Sequence, residues 1–155
     1  MNTAAQIAYK NTLKQFCQSI IEQRIATARQ AMAAAQEAAN AEEKSSAGDK
    51  YETARAMGHL EKDMHAKQLA GYIKELSALN AINVNTIYTH STAGACITTA
   101  DAIFFIAAGL GKYIVAGILT YFLSPQSPLS KQLLLKKAGD TFILNNKLFT
   151  IEGIY

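Results

Sequence analysis

The first 47 residues of this chain contain neither glycine nor proline, and the 155-residue sequence has only two prolines, Pro125 and Pro128. Glycine weakens a helix because its backbone is too free, and proline weakens it because it lacks the amide donor. Their absence excludes a region of turns and short strands at the start of the chain. One long helix is therefore the expected structure of residues 3–43.

Cysteine is almost as scarce, since Cys17 and Cys96 are the only two and stand far apart. This spacing excludes a disulfide framework and the paired ligands of a zinc site. We expect two free buried thiols in a reducing compartment. Lys10 and Lys14 lie where a signal peptide would have its apolar core, so we expect a cytoplasmic protein.

Charge is also limited, at 17% of residues with a net charge of +3. This balance is too mild to indicate a nucleic-acid-binding surface. Most charged residues fall in the first 80, where both signs alternate as on a solvated helix surface. Half of the residues are hydrophobic, which is enough for a core.

The segment Ala102–Leu123 has a single charge, Lys112, and is long enough to cross a bilayer. A lysine in mid-span is costly, and Gly109 and Gly111 beside it indicate a turn. The two halves are rich in β-branched and aromatic residues. We therefore expect strands here and no membrane contact.

The helical half divides at Ser45, Ser46 and Gly48, which favours an antiparallel pair of helices with its turn near residues 44–50. The first helix carries a narrow apolar seam of coiled-coil spacing: Leu13, Cys17, Ile20 or Ile21, Ile25, Ala28, Met32, Ala35 and Ala39. The return helix is expected from about Asp49 to Leu79, with an apolar side of Met57, Leu60, Met64, Leu69, Tyr72, Ile73, Leu76 and Leu79.

Beyond a linker at residues 80–85, the apolar period changes to that of strands. Strands are predicted at Ala95–Thr99, Ala102–Ala108, Tyr113–Val115, Ile118–Leu123, Thr141–Leu144 and Leu148–Tyr155. Pro128 suits the first turn of a short helix with Ser127 as its N-cap. The expected class is α+β, with a helical hairpin over residues 1–80 and a small, mainly antiparallel sheet domain over residues 84–155.

Four acids gather around the expected turn: Glu42, Glu43, Asp49 and Glu52. Asp49 and Glu52 lie three residues apart, so their carboxylates can converge on one side of a helix and share a divalent metal ion. The alternative is structural, with Asp49 as N-cap and Glu52 completing a capping box. Glu42 and Glu43 are expected to be solvated.

One stretch of the sheet domain is more specific. The residues Ser127-Pro128-Leu129, Lys131, Leu133-Leu134, Lys136-Lys137 and Gly139-Asp140 occur in a pattern that resembles the C-terminal signature of the Gre family of bacterial transcript-cleavage factors. Ser130 and Leu135 depart from it, since the family has glycine at both positions. Gly48-Asp49 and Glu52 also resemble the family's tip motif GDxxE, although Thr53, Arg55 and Ala56 differ from the residues that the family has after this motif.

The resemblance implies an N-terminal antiparallel coiled coil, a C-terminal domain of FKBP-like fold, and RNA polymerase as the partner. It implies that the coiled coil enters the secondary channel of the polymerase, where Asp49 and Glu52 would help to hold a Mg²⁺ ion shared with the polymerase, close to the nascent RNA. Docking would use the C-terminal domain, where the candidate contact residues are Ser127, Pro128, Leu129, Lys131, Lys136 and Lys137. The chain would have no catalysis, small-molecule substrate or cofactor of its own.

Other interpretations stay open. The chain can be a Gre-fold regulator that does not stimulate cleavage, or a coiled-coil interaction protein unrelated to polymerase. An acyl-transfer enzyme based on Cys96 would need a nearby base, and only His90 is close in sequence. A prolyl isomerase commonly has a tryptophan-floored pocket, and this chain has no tryptophan. His59, His65 and His90 show no ligand spacing.

Overall fold

The computed structural model describes residues 1–43 and 48–155, with side chains described for residues 1–41 and 52–155. Two long helices come first, α1 (Thr3–Glu43) and α2 (Gly48–Ala81). The remaining elements are β1 (Cys96–Thr98), β2 (Ile103–Ile106), β3 (Gly111–Val115), β4 (Ile118–Leu123), α3 (Pro128–Leu133), β5 (Thr141–Leu144), β6 (Lys147–Thr150) and β7 (Gly153–Ile154). The predicted α+β class is confirmed, with both helices close to their predicted bounds.

The chain forms two compact units. The first comprises Met1–Gln18 together with Ala78–Tyr155, and the second comprises Ser19–Ser77. The start of α1 and the end of α2 therefore belong to the same unit as the strands. Lys14 connects these two helix segments, because its ammonium donates to the carbonyl oxygens of Asn80 at 3.3 Å and Ile82 at 2.8 Å. A cation there also complements the helix dipole at the end of α2.

In the second unit, α1 and α2 approach each other on small side chains. A Cβ placed on Gly58 would lie only 3.2 Å from the Cβ of Ala39, and Lys62 donates to the side-chain oxygen of Gln36 at 2.8 Å. Part of the apolar side predicted for α2 is exposed instead: Met57, Leu60, Met64 and Ile73. That part of the prediction is wrong, because the contact with α1 uses a neighbouring face of α2.

The strands of the first unit form a five-stranded sheet in the order β3-β4-β2-β1-β7. Strands β2 and β4 pair in parallel, and the other neighbours in this sheet pair antiparallel. A separate hairpin pairs β5 with β6, and its turn places Asn145 and Asn146 at φ 51° and 63°. Asparagine tolerates this left-handed conformation, which suits a two-residue hairpin turn.

The predicted strand Leu148–Tyr155 is divided between two sheets. After β6, the backbone amide of Glu152 donates to the carbonyl oxygen of Thr98 at 2.8 Å, and the chain then pairs with β1 as β7. Gly153 permits this approach, because a Cβ there would lie 3.1 Å from the hydroxyl of Thr98. The prediction of a single strand was wrong, because the apolar periodicity of a sequence does not reveal where a strand changes its pairing partner.

Aromatic side chains cover both faces of the five-stranded sheet. Phe104 on β2 contacts Phe142 and Phe149 of the β5–β6 hairpin, with ring centroids 5.1 and 5.3 Å apart. On the opposite face, Phe122 of β4 stacks on Phe16 of α1 at 5.3 Å. Alternate residues of a strand point to opposite faces, which explains how adjacent strands serve two cores. The hairpin and α3 cover one face, and the start of α1 covers the other.

Candidate functional site

The junction between the two long helices carries the candidate metal-binding acids. Asp49 is the second residue of α2, and Glu52 is the fifth and has an exposed side chain. The side chains of Glu42, Glu43 and Asp49, and residues 44–47 of the predicted turn, lie outside the described residues. Asp49 and Glu52 are three residues apart on one helix, so they share a side of α2.

Two carboxylates do not make a complete magnesium site, because Mg²⁺ prefers six oxygen ligands. Within residues 1–43 and 48–155, as far as they are described, no three His, Cys, Asp or Glu side chains come together as metal ligands. Two carboxylates supply part of the six-oxygen shell of Mg²⁺, so Asp49 and Glu52 would leave the other positions to water or to a partner. Arg55, three residues beyond Glu52, forms no ion pair with it in the described part of α2.

The segment from Ser124 to Asp140 is held by short polar contacts around α3. The hydroxyl oxygen of Ser127 accepts from the backbone amide of Ser130 at 3.1 Å, and Pro128 occupies the first turn. The predicted N-cap is confirmed. Ser130 is buried, and its hydroxyl donates to the carbonyl oxygen of Ser124 at 2.6 Å. The hydroxyl of Ser130 therefore helps to orient the loop before α3.

The backbone beyond α3 is equally fixed. Ser91 exchanges two backbone hydrogen bonds with this segment, to Leu135 at 3.0 Å and to Lys136 at 2.8 Å. The backbone amide of Lys137 donates to the carboxylate of Asp140 at 2.9 Å. The predicted partner-binding residues thus lie on α3, at its N-cap and in the segment after it. Lys131 and Lys137 are exposed, and Lys136 is half-buried.

Leu129 and Leu135 differ in their surroundings. Leu129 is half-buried against the core beneath the hairpin, so it is a packing residue. Leu135 is exposed and has φ 66°, in the left-handed region that favours glycine. A leucine in this conformation costs free energy as backbone strain. Leu134 and Leu135 add an exposed apolar pair beside the lysines.

A buried lysine is the main feature that the sequence did not reveal. Lys10 is fully buried, donates to the carbonyl oxygen of Thr86 at 2.7 Å, and lies 4.8 Å from the ring centroid of Tyr88. Burial lowers the pKa of its ammonium group to about 8. The available signal was its spacing, because Lys10 lies three residues before Leu13 and seven before Cys17, on the buried side of α1.

The cysteines lack the properties of nucleophiles. Both are buried, and burial raises the pKa of the Cys17 thiol and of the Cys96 thiol to about 12. A reactive cysteine needs the opposite change, toward the thiolate. Cys96 instead pairs through its backbone with Tyr155, at 2.7 and 3.0 Å. These observations support packing roles for both thiols.

Comparison of the chain with family models, with curated proteins and with solved structures gave no match. In the part of the chain that the structure describes, none of the helices has the length and apolar character needed to cross a bilayer.

Proposed function

We propose that this chain is a Gre-type transcription factor that binds RNA polymerase in the cytoplasm. The observation that carries the proposal is the order of its parts. Helices of 41 and 34 residues come first, Asp49 lies at the start of the second, and a sheet domain with a Ser127-capped helix comes after them. In this proposal the long helices enter the secondary channel, and the chain itself catalyses no reaction.

The acids act at the junction of the helices. Asp49 and Glu52 contribute carboxylates to a Mg²⁺ ion whose other ligands belong to the polymerase, which also holds the nascent RNA. The ion, when bound, supplies activation of water for phosphodiester hydrolysis. The exposed position of Glu52 supports this role, because a carboxylate used in packing would be covered.

Helix α3 and the loop after it supply the docking surface. The fixed backbone between Ser127 and Asp140 supports this assignment, since rigid loops present side chains with little loss of entropy on binding. Lys131, Lys136 and Lys137 would contact polymerase or RNA, and Ser127 and Pro128 would hold the loop in shape. Leu129 would contribute through the core rather than by direct contact.

Two alternatives are supported by specific observations. Arg55 is exposed and lies one turn from Glu52, which favours a Gre-fold regulator that occupies the channel without stimulating cleavage. Met57, Leu60 and Met64 are exposed at helical spacing on α2, which favours a coiled-coil interaction protein. Under this second alternative, the chain would have no functional relation to polymerase.

The test is direct binding of the full chain to purified bacterial core RNA polymerase. We expect saturable binding that weakens in a Lys131→Gln/Lys137→Gln double variant. The matched control is Lys112→Gln/Lys147→Gln, which also removes two exposed lysines from the same unit. If the unmodified chain does not bind, the polymerase proposals are overturned, and the coiled-coil interaction protein is the alternative that remains. Equal weakening by both double variants would overturn the docking surface.

A further inference from the structure

The small side chains of the second unit leave a cleft of about 280 Å³ beside the helices. Ala28 and Ala31 of α1 line it together with His65, Gln68 and Tyr72 of α2. Alanine offers only a methyl group, so two helices that meet on alanines leave space between the longer side chains around them. A volume of this size suits a small ion or a single functional group.

Among the described residues, Arg24 is the only permanently charged one that lines the cleft. It is half-buried, and within that same part of the chain it has neither a hydrogen-bond acceptor nor an ion-pair partner. None of the lining side chains that the structure describes is a carboxylate. The nearest acid to a lining residue in the described contacts is Glu61, whose carboxylate lies 3.7 Å from the imidazole of His65.

The other polar side chains around the cleft are hydrogen-bond donors. Besides Arg24 and His65, they belong to Gln23, Thr27, Gln68 and Tyr72. Within the described part of the chain, the side chains of these four residues make no hydrogen bond. An unpaired guanidinium and several unused neutral donors therefore face one small space. Such a combination recognises an oxyanion, because the guanidinium fork matches two oxygens and the neutral donors can bind the others.

We propose that this cleft binds a small oxyanion, a phosphate or carboxylate group, with Arg24 as its principal contact. The site does not depend on the proposed role in transcription, since all of its residues lie in the second unit and none belongs to the acid pair or to the docking loop. It supplies a partner for an arginine that is half-buried and has none among the described residues.

The experiment titrates the full chain with inorganic phosphate and, separately, with acetate, at constant ionic strength maintained with chloride. Nuclear magnetic resonance follows the side-chain N–H signal of Arg24 and the backbone amides around it. We expect saturable shifts centred on residues 23–31 and 65–72. Tighter binding of phosphate would identify a phosphate ligand, and tighter binding of acetate a carboxylate. Absence of saturable shifts with both anions would overturn the proposal.

A matched pair of variants provides the control. Arg24→Gln should weaken binding about ten- to hundredfold, as expected for loss of a charge-assisted hydrogen bond. Arg29→Gln removes the same charge from an exposed position of α1 outside the cleft, and should leave affinity unchanged. Equal weakening by both would show unspecific electrostatics and overturn the site. If Arg24→Gln does not fold, Tyr72→Phe is the deciding variant. It should weaken anion binding about two- to tenfold, and unchanged binding would overturn the site.

Discussion

The ammonium group of Lys10, a fully buried residue, donates to the carbonyl oxygen of Thr86 at 2.7 Å. This contact ties α1 to the segment after α2, and the ring of Tyr88 covers the charge. A buried lysine held by a carbonyl and an aromatic face, without a carboxylate among the described residues, is an uncommon arrangement. It makes the stability of the first unit depend on pH in a direction that can be calculated.

Stability should rise with pH between about 8 and 10.5 because of Lys10. Its pKa is lowered from 10.5 to about 8 by burial. In that window the unfolded chain binds the proton more tightly than the folded one, so the free energy of unfolding increases with pH. The contribution is at most about 3 kcal/mol. Urea unfolding of wild type and Lys10→Met across this pH range gives the difference between their free energies of unfolding. That difference should change with pH, and parallel pH profiles of the two proteins would contradict the prediction.

The thiols should show the opposite pH dependence and resist alkylation. Because burial raises both pKa values from 9.0 to about 12, stability from Cys17 and Cys96 is complete below pH 9 and is lost as pH rises toward 12. Iodoacetamide should label the folded protein slowly at about pH 8, where the ordinary thiol begins to ionise, and both thiols quickly in urea. Fast labelling of either cysteine in the folded state would show that its surroundings open.

Leu135→Gly should stabilise the protein by about 1 kcal/mol, because a side chain at φ 66° costs roughly 1–2 kcal/mol. The exposed Leu135 loses little packing on truncation. Leu134→Gly serves as the control, because Leu134 is also exposed but has φ −50°. Chemical unfolding compares the two, and a destabilised Leu135→Gly protein would mean that the side chain contributes a contact larger than the strain.

Asp49→Asn should abolish any stimulation of RNA cleavage in backtracked polymerase complexes while leaving polymerase binding nearly unchanged. Asparagine matches aspartate in size and polarity, but it cannot supply a carboxylate to a metal ion. Glu52→Gln should act in the same direction. An Arg55→Ala protein provides the comparison, since removal of its charge should leave cleavage equal or higher. If Asp49→Asn stimulates RNA cleavage as well as wild type, the acids are structural. The better proposal is then the Gre-fold regulator that does not stimulate cleavage.

The sequence predicted the bounds of α1 because residues 1–47 contain no helix breaker, and it predicted the start of α3 because Ser127 and Pro128 are strong local signals. It could not choose the buried face of α2. The helices approach closely at Ala39 and Gly58, where a Cβ on the glycine would lie 3.2 Å from the Cβ of the alanine. Met57, Leu60 and Met64 are therefore exposed, for a reason that depends on tertiary packing.

The candidate sites divide in a similar way. The acids and the loop lysines follow from motifs that are local in sequence. The burial of Lys10 depends on Thr86 and Tyr88, and the cleft around Arg24 depends on Gln68 and Tyr72 of the other helix. Contacts between residues so distant in the chain leave no signature in a single sequence. The spacing of Lys10 with Leu13 and Cys17 did, however, indicate that Lys10 lies on the buried side of α1.

The stacking of Phe16 on Phe122 has a consequence for biosynthesis. Phe16 is translated about a hundred residues before Tyr113 and Phe122, the rings that cover it. Until those rings are made, the nascent chain presents an uncovered apolar surface around Leu13, Phe16 and Cys17. Because contacts that are distant in sequence form slowly, this surface is exposed to aggregation and to capture by chaperones during synthesis.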